Sequence, residues 1–584
     1  MSDPQLVLAA RVQAAIVAAF GAEFAGTDPV IRPSQFADLQ ANVALPLSKK
    51  LRRPPRDVAQ DLVARLDVEG ICAKVEVSGP GFVNLTLSDE WIAHQASLLL
   101  DDERVGVPVT DRPQTIPVDY SAPNVAKEMH VGHLRTTVVG DAFARTAEFR
   151  GHKVIRQNHI GDWGTPFGML IEHLLEVGEA EAEAELQTDP NAFYQAARAK
   201  FEASEKGEGH GDFATRARAR VVALQAGDAG TLAIWQRLVD MSKAYFNKVY
   251  RQLDVTLTDA DLAGESMYND MLADVCDELE AKGLAVVDDG ALCVFLDGFT
   301  GREGKPLPLI IRKSDGGYGY ATTDLAALRY RAQKLHADRV VYVIGIPQSL
   351  HLKMVYETAR KAGWLGHTEP FHAGIGNVLG PDGRILRTRS GKPVKLAELL
   401  AEGVERAAQV IADRGYDERT RAEIAHAVGI GAIKYADLSV ARDSEYVFDF
   451  DRMIALTGNT GPYLQYAAAR IRSIFRLAGS DPAQATGPIT ITHPAERALV
   501  LHLLGFGAAI DALIEDVAPH KLAAYLYGVA DALTGFYENC PVVKGPDGPV
   551  PDEVRAPRLA ICALALNTLV TGLGLLGIEV PERM

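Results

Sequence analysis

The stretch Asp119-Tyr120-Ser121-Ala122-Pro123-Asn124-Val125-Ala126-Lys127-Glu128-Met129-His130-Val131-Gly132-His133-Leu134 decides how the chain is read. Just before it, Thr115 to Tyr120 reads as a short buried strand, and Leu134 to Phe149 has helical apolar spacing. Gly151 supplies a helix stop, and Lys153 to Gln157 reads as the next strand. This is a strand–helix–strand unit, the building block of a parallel sheet. The motif H-x-G-H therefore falls in a loop that opens a helix, where backbone N–H groups and the helix dipole favour an anion. Ligands of open parallel sheets bind at the carboxyl ends of their strands. His130 and His133 can both donate hydrogen bonds to phosphate oxygens as charge moves onto a pyrophosphate leaving group. Gly132 between them lets a flat base approach the backbone without a β-carbon in the way. Such a site transfers an adenylyl group with no covalent intermediate on the protein. The two histidines could instead simply cap the helix. Metal ligation by H-x-x-H is disfavoured, because no Cys or acidic set at zinc spacing accompanies it, so no protein-held metal is expected.

Working outward, residues 1–105 read as a small α/β module. Helical spacing runs through Leu6 to Phe20 and Val58 to Leu66, and two strands, 73–77 and 82–87, flank the Gly79-Pro80-Gly81 turn. The charged, proline-containing run 101–113 is a linker. Residues 106–415 hold the parallel-sheet unit, with a further buried strand at Arg339 to Gly345, a helix from Leu350 to Ala362 and a polar helical insertion at about 175–255. The Ala/Glu run 179–185 in that insertion reads as a solvated helix. From 416 to 584 helical periods dominate: 466–477, 495–517, 521–537 and 558–576, an all-α bundle.

The chain of 584 residues is 47% hydrophobic and 23% charged, enough for several packed cores. No apolar stretch reaches the ~18 uninterrupted residues of a membrane span, and no basic segment leads into an apolar signal core. Cys72, Cys276, Cys293, Cys540 and Cys562 form no C-x-x-C pair and read as reduced, which fits a cytoplasmic protein. A net charge of −16 argues against non-specific nucleic-acid binding, although a local basic surface is still possible. The densest basic run, Lys49 to Arg56, is either a solvated helix end stopped by proline or an RNA contact.

The stretch from Asp119 to His159-Ile160-Gly161-Asp162-Trp163-Gly164 resembles the signature region of class I arginyl-tRNA synthetases, and the similarity covers essentially the whole chain. Asp38-Leu39-Gln40-Ala41-Asn42 and Gly79-Pro80-Gly81-Phe82 resemble the family's extra N-terminal domain. Asn459 to Ala467 resembles the start of its anticodon-binding bundle, and Val580-Pro581-Glu582-Arg583-Met584 its ending. The resemblance implies a multi-domain α/β plus all-α protein: a Rossmann-like parallel-sheet catalytic domain, a small N-terminal α/β domain that contacts tRNA, and a C-terminal helical bundle. It implies ATP with Mg²⁺, L-arginine and tRNA-Arg as reaction partners, and tRNA bound before arginine is activated. A cytoplasmic monomer without membrane attachment is expected.

The resemblance also implies site residues, each of a type the chemistry needs. A guanidinium needs planar carboxylate or carbonyl acceptors. Asp119, Tyr320 and Asp324 would surround the guanidinium or amino group, while Ser121, Asn124 and Gln348 would hold the α-amino and carboxylate end. For phosphates the family's class commonly carries K-M-S-K-S. Here the corresponding stretch is Gly383-Arg384-Ile385-Leu386-Arg387-Thr388-Arg389-Ser390-Gly391-Lys392, with Arg389 replacing the second lysine. Lys127, just before the first histidine, is placed to take over charge neutralisation with Arg389, and Lys392 is a further ATP contact. From Gly461 onward nine Lys and Arg stand against twelve Asp and Glu, so the bundle would read unstacked bases by stacking and shape. Tyr463, Tyr466, Tyr537 and Met584 are the candidates. Two other readings stand beside this one: another H-x-G-H nucleotidyltransferase, and a non-catalytic RNA-binding relative.

Overall fold

The computed structural model of the chain describes residues 3–164, 166–301, 304–314, 316–388, 393–546 and 548–584. Its N-terminal part is a four-stranded antiparallel sheet of β1 (Ile31–Pro33), β2 (Leu39–Ala41), β3 (Cys72–Ser78) and β4 (Phe82–Leu87), in the order β1-β2-β4-β3. β3 and β4 form the hairpin expected around Gly79-Pro80-Gly81, with Val77 opposite Val83. Gly81 has φ +139°, and a β-carbon there would lie 2.7 Å from the Pro55 carbonyl oxygen, so only glycine fits. The basic run at 49–56 ends one helix, Ala44–Leu51, and begins the next, Pro55–Val63, with Arg52 in the left-handed region between them.

The central sheet is parallel: β5 (Thr115–Asp119), β6 (Lys153–Gln157), β10 (Arg339–Gly345) and β11 (Glu369–Ile375), in the order β11-β10-β5-β6. The chain runs β5, helix Val131–Arg150, β6, and only later returns to the other side of β5. The strand order therefore reverses between β5 and β10, and a crevice opens there at the carboxyl ends. Both faces are covered, as a parallel sheet requires. Val341 and Val343 of β10 face the core shared with Leu134, Val138 and Phe143 of helix Val131–Arg150. Val340, Tyr342 and Ile344 alternate onto the opposite core, under helices Tyr320–Gln333 and Ser349–Lys361. Against that second core packs a three-stranded antiparallel sheet the sequence reading did not foresee, made of β7 (Ala285–Asp288), β8 (Ala291–Thr300) and β9 (Pro306–Arg312).

The insertion is helical: Pro166–Val177 leads into Glu179–Thr188, Pro190–Lys206, Phe213–Gln225 and Ala229–Gln252. In the Ala/Glu run only Ala182 is buried.

After residue 415 two points differ from the expectation. Strands do not vanish: β13 (Tyr446–Val447) pairs in parallel with β12 (Val378–Leu379), and a short hairpin joins Lys544–Gly545 to Gly548–Pro549. The apolar run 495–517 is two helices, Pro494–Leu503 and Phe506–Asp516. The break has a cause: the Tyr525 ring stacks on His502, its hydroxyl donates to the Leu503 carbonyl, and it crowds Gly505. Stretches 494–516 and 552–575 are long and apolar enough to cross a membrane by length and composition, and 50% and 67% of their most apolar windows lie buried among the other helices.

Helix Glu418–Leu438 locks the bundle to the sheet. Arg135, on the helix after β5, is 1% exposed and its Nε lies 2.9 Å from Oδ1 of the fully buried Asp437. Its Nη1 donates to the Ser444 carbonyl at 2.6 Å. Removing one member of such a pair strands a charge in the core. Arg135→Met is expected to cost about 3–5 kcal/mol in denaturant unfolding of the sheet-containing part. Arg135→Met with Asp437→Leu should recover most of that loss. A single variant as stable as the parent would show that the pair holds nothing.

Candidate active site

The two signature histidines cap the helix and leave one nitrogen each for other work. His130 is the N-cap of helix Val131–Arg150, and its Nδ1 accepts from the Gly132 N–H at 3.0 Å. The His130 N–H in turn donates to His133 Nδ1 at 3.1 Å, a reciprocal capping box. A neutral imidazole that accepts at Nδ1 carries its proton on Nε2. Both rings, 4.0 Å apart between centroids, are thereby fixed as Nε2–H donors at a helix N-terminus. Burial, then the charge of His130, push His133 down to about 3, and burial with the nearby Lys127 lowers His130. The sequence reading set capping against phosphate binding; the geometry makes capping the means of fixing the donors. At Gly132 a β-carbon would lie 2.8 Å from His130 Cε1 and push the ring aside.

The loop before the histidines is strained. Ser121, Ala122 and Ala126 have φ of 71°, 47° and 58°, positions that cost roughly 1–3 kcal/mol each without a glycine. The insertion helix Ala229–Gln252 holds them there. Tyr250 Oη is 2.8 Å from Ser121 Oγ, and Ser242 Oγ accepts from the Ala126 N–H at 2.9 Å. Asn158 after β6 accepts from the Ala122 N–H. Asn124 is exposed beside Gly161, where its Oδ1 fills the space a β-carbon would take.

Two expected substrate contacts have other partners. Ser121 is buried, with its hydroxyl bonded to Tyr250 and Thr137. Asp119, 3% exposed, pairs through Oδ2 with Nη2 of the buried Arg331 at 2.8 Å, while its Oδ1 is buried without a hydrogen-bond partner. Tyr320, Asp324 and Gln348 stand differently. Tyr320 opens helix Tyr320–Gln333 and is exposed, and Asp324 lies one turn on. Both meet His351, which the sequence reading missed: its Nε2 is 2.6 Å from Asp324 Oδ2 and its ring is edge-on to Tyr320 at 4.8 Å. Gln348 ends the 3-10 turn after β10, three residues before His351. Glu265, also missed, is raised to about 7 by burial first and by the charges of Asp162 and Asp324, against that of His159. Carboxyl groups thus gather around Asp324 and Glu265, and the cations near the two neutral histidines are Lys127 and Lys395.

Residues 394–396 run beside the histidine loop. The Val131 N–H donates to Val394 O at 3.0 Å, the Leu396 N–H to Met129 O at 2.9 Å, and Lys395 bridges His130. Arg389 and Lys392 lie outside the described residues. Lys127 Nζ sits 4.4 Å over the Tyr194 ring, and Lys395 Nζ is 3.0 Å from Glu128 and 3.4 Å from Asp189. In the bundle, Tyr466 and the 47% exposed Tyr537 clasp the Arg470 guanidinium at 4.9 and 4.7 Å. Tyr463 instead bonds Thr534 between helices, and Met584 packs on Ile411, Ile424 and Val428.

Three family models match the chain: the class I (R) tRNA synthetase catalytic domain over 94–450, the DALR anticodon binding domain over 464–584, and the arginyl tRNA synthetase N terminal domain over 6–87. The chain is 69% identical over 587 residues to an arginine–tRNA ligase of Thermobifida fusca, covering 100% of both. It is 49% identical to one of Streptomyces avermitilis, covering 96% of each. An arginyl-tRNA synthetase of Plasmodium falciparum superposes with a TM-score of 0.83 at 29% identity, over 99% of each chain. That of Thermus thermophilus has the same fold, with a TM-score of 0.79 at 23% identity over 99% of this chain and 100% of its own.

Because Gly132 is fixed by the His130 ring, Gly132→Ala should cut the rate of the chemical step by about 10–100-fold, the scale of a misplaced catalytic group. Normal turnover would contradict the packing. Acid should also weaken the fold through His133. The unfolded ring takes up a proton near 6.5 and the folded one only near 3, so stability falls as pH drops through that window. A His133→Gln variant should show a shallower decline in melting temperature between pH 6.5 and 4.

Proposed function

The chain belongs to the arginyl-tRNA synthetases, and on that premise we propose how its crevice carries out the family's reaction. It is an arginine–tRNA ligase: ATP activates L-arginine as arginyl-adenylate, and the arginyl group passes to the 3′-terminal adenosine of tRNA-Arg. In the first step an arginine carboxylate oxygen attacks the α-phosphorus in line, and the bond to the bridging oxygen breaks to release pyrophosphate. The Nε2–H groups of His130 and His133 donate to phosphate oxygens as charge builds, at a helix end that already favours an anion. Lys127 adds a compact positive charge, and Arg389 and Lys392 act with it from the second loop. The carboxylates on this side, Glu128 and Asp189, are taken up by Lys395, and among the described residues no set of three metal ligands gathers, so Mg²⁺, a hard ion that prefers oxygen, would come with the nucleotide and would neutralise phosphate charge.

At the other end, Asp324, oriented by His351, takes the guanidinium together with Glu265, and Tyr320 closes over it. Asn124 and Gln348 hold the α-amino and carboxylate end. Asp119 and Ser121 serve from beneath, as scaffold. In the second step the 2′-hydroxyl oxygen attacks the activated carbonyl carbon and AMP leaves. The Tyr466–Arg470–Tyr537 stack offers aromatic and guanidinium faces to an unstacked anticodon base, and residues 1–105 contact the tRNA elsewhere. We also read the protein as a cytoplasmic monomer without membrane attachment.

The reading rests above all on two histidines locked as Nε2–H donors at the crevice where the strand order reverses. ATP–pyrophosphate exchange with each amino acid, with and without tRNA, tests it. Exchange is expected with arginine alone among the amino acids, and only once tRNA-Arg is added. Exchange with arginine in the absence of tRNA would remove the coupling and keep the chemistry. Folded protein that binds ATP yet exchanges with no amino acid would overturn the catalytic assignment.

A further inference from the structure

The polar insertion does more than fill solvent: we propose that helix Pro190–Lys206 positions the cations of the phosphate site, with Tyr194 and Asp189 as positioning residues. Two contacts reach out from the start of this helix. Tyr194, 9% exposed, lies with its ring 4.4 Å from Lys127 Nζ. Asp189, the N-cap of the helix, puts Oδ2 3.4 Å from Lys395 Nζ while its Oδ1 accepts from the Ala192 N–H at 2.9 Å. The two lysines belong to different segments. Lys127 stands three residues before His130, and Lys395 follows the second loop with its backbone bridged to His130. One insertion helix therefore touches the cation on each side of the signature histidine.

The two contacts differ in kind, and the difference suits two jobs. An ammonium over a ring is held in direction but keeps its full charge, because the partner is a quadrupole and not an ion. Lys127 can move from Tyr194 to a phosphate without leaving a carboxylate unpaired. Lys395 is held by carboxylates, 3.0 Å from Glu128 and 3.4 Å from Asp189, so it acts as an anchor that keeps residues 393–396 against Met129–Val131. A lysine has many rotamers to lose on binding. A ring that already confines Lys127 lowers that cost, and the gain falls on ATP. The same insertion supports the strained loop from its other side through Tyr250 and Ser242.

The proposal rests on the reading that Lys127 serves the phosphates, so the experiment separates the two. Pyrophosphate exchange by the full chain with tRNA-Arg is measured for Tyr194→Leu, Tyr194→Phe, Asp189→Ser, Lys127→Met and the double variant Lys127→Met/Tyr194→Leu. Tyr194→Leu is expected to raise KM for ATP about three- to tenfold, with KM for arginine unchanged and Tyr194→Phe close to the parent. Asp189→Ser keeps a capping oxygen and removes the charge, and it should raise KM for ATP about twofold or more with an unchanged melting temperature. In the Lys127→Met background, Tyr194→Leu should add nothing further. Parental KM for ATP in Tyr194→Leu, an equal loss in the two backgrounds, or Tyr194→Phe as impaired as Tyr194→Leu would overturn the positioning role. If Tyr194→Leu does not fold, a parental KM for ATP in Asp189→Ser overturns it. If Lys127→Met itself exchanges normally, the phosphate role of Lys127 fails and this proposal falls with it.

Discussion

The first turn of an α-helix carries backbone N–H groups with no partner inside the helix. At helix Val131–Arg150 the usual capping oxygen is absent, and two imidazole Nδ1 atoms take its place, one from His130 and one from His133. Much else follows from that substitution. It fixes the tautomer of both rings, because a nitrogen that accepts from the backbone cannot also hold the proton of a neutral ring. It demands glycine at 132, since the His130 ring occupies the space of a side chain there. It places two neutral donors, not two cations, where phosphate charge develops, so the donors need no change of protonation during the reaction.

Holding that turn in place takes the rest of the molecule. β5 sets its position, the Arg135–Asp437 pair ties its helix to the bundle, and Tyr250, Ser242 and Asn158 hold three left-handed residues in the loop before it. Val394 and Leu396 pair through their backbones with Val131 and Met129. Strain in the loop is therefore offset by contacts from parts of the chain far away in sequence, the pattern of a site built for pre-organisation. Asp324 with its His351 partner, and Glu265 near it, gather carboxyl groups that the proposed reading assigns to the arginine side chain.

The sequence made the frame legible because periodicity and turn residues are local signals. β6 and β10 have the bounds read from the sequence, Lys153–Gln157 and Arg339–Gly345, and the Gly79-Pro80-Gly81 turn forms the expected hairpin. What stayed hidden depends on long-range contact. Nothing near Ser121 or Asp119 says that Tyr250 and Arg331, more than a hundred residues away, occupy them. The break at Gly505 comes from Tyr525, on a later helix, Pro519–Asn539. His351 could have been found by its place one turn after Gln348, on the helix that follows a sheet strand, but its pairing with Asp324 needs the fold. Arg470 could have been found as well, since it lies four residues after Tyr466 on the same helix face.

Both signature histidines are neutral Nε2–H donors locked by the backbone. Nitrogen-15 NMR of the histidine-labelled protein between pH 5 and 8 reads this directly. The account predicts two rings in the Nε2–H form, with His133 showing no protonation across the range and His130 titrating, if at all, below 6.5. A proton on Nδ1 of either ring, or a His133 midpoint near 6.5, would contradict it.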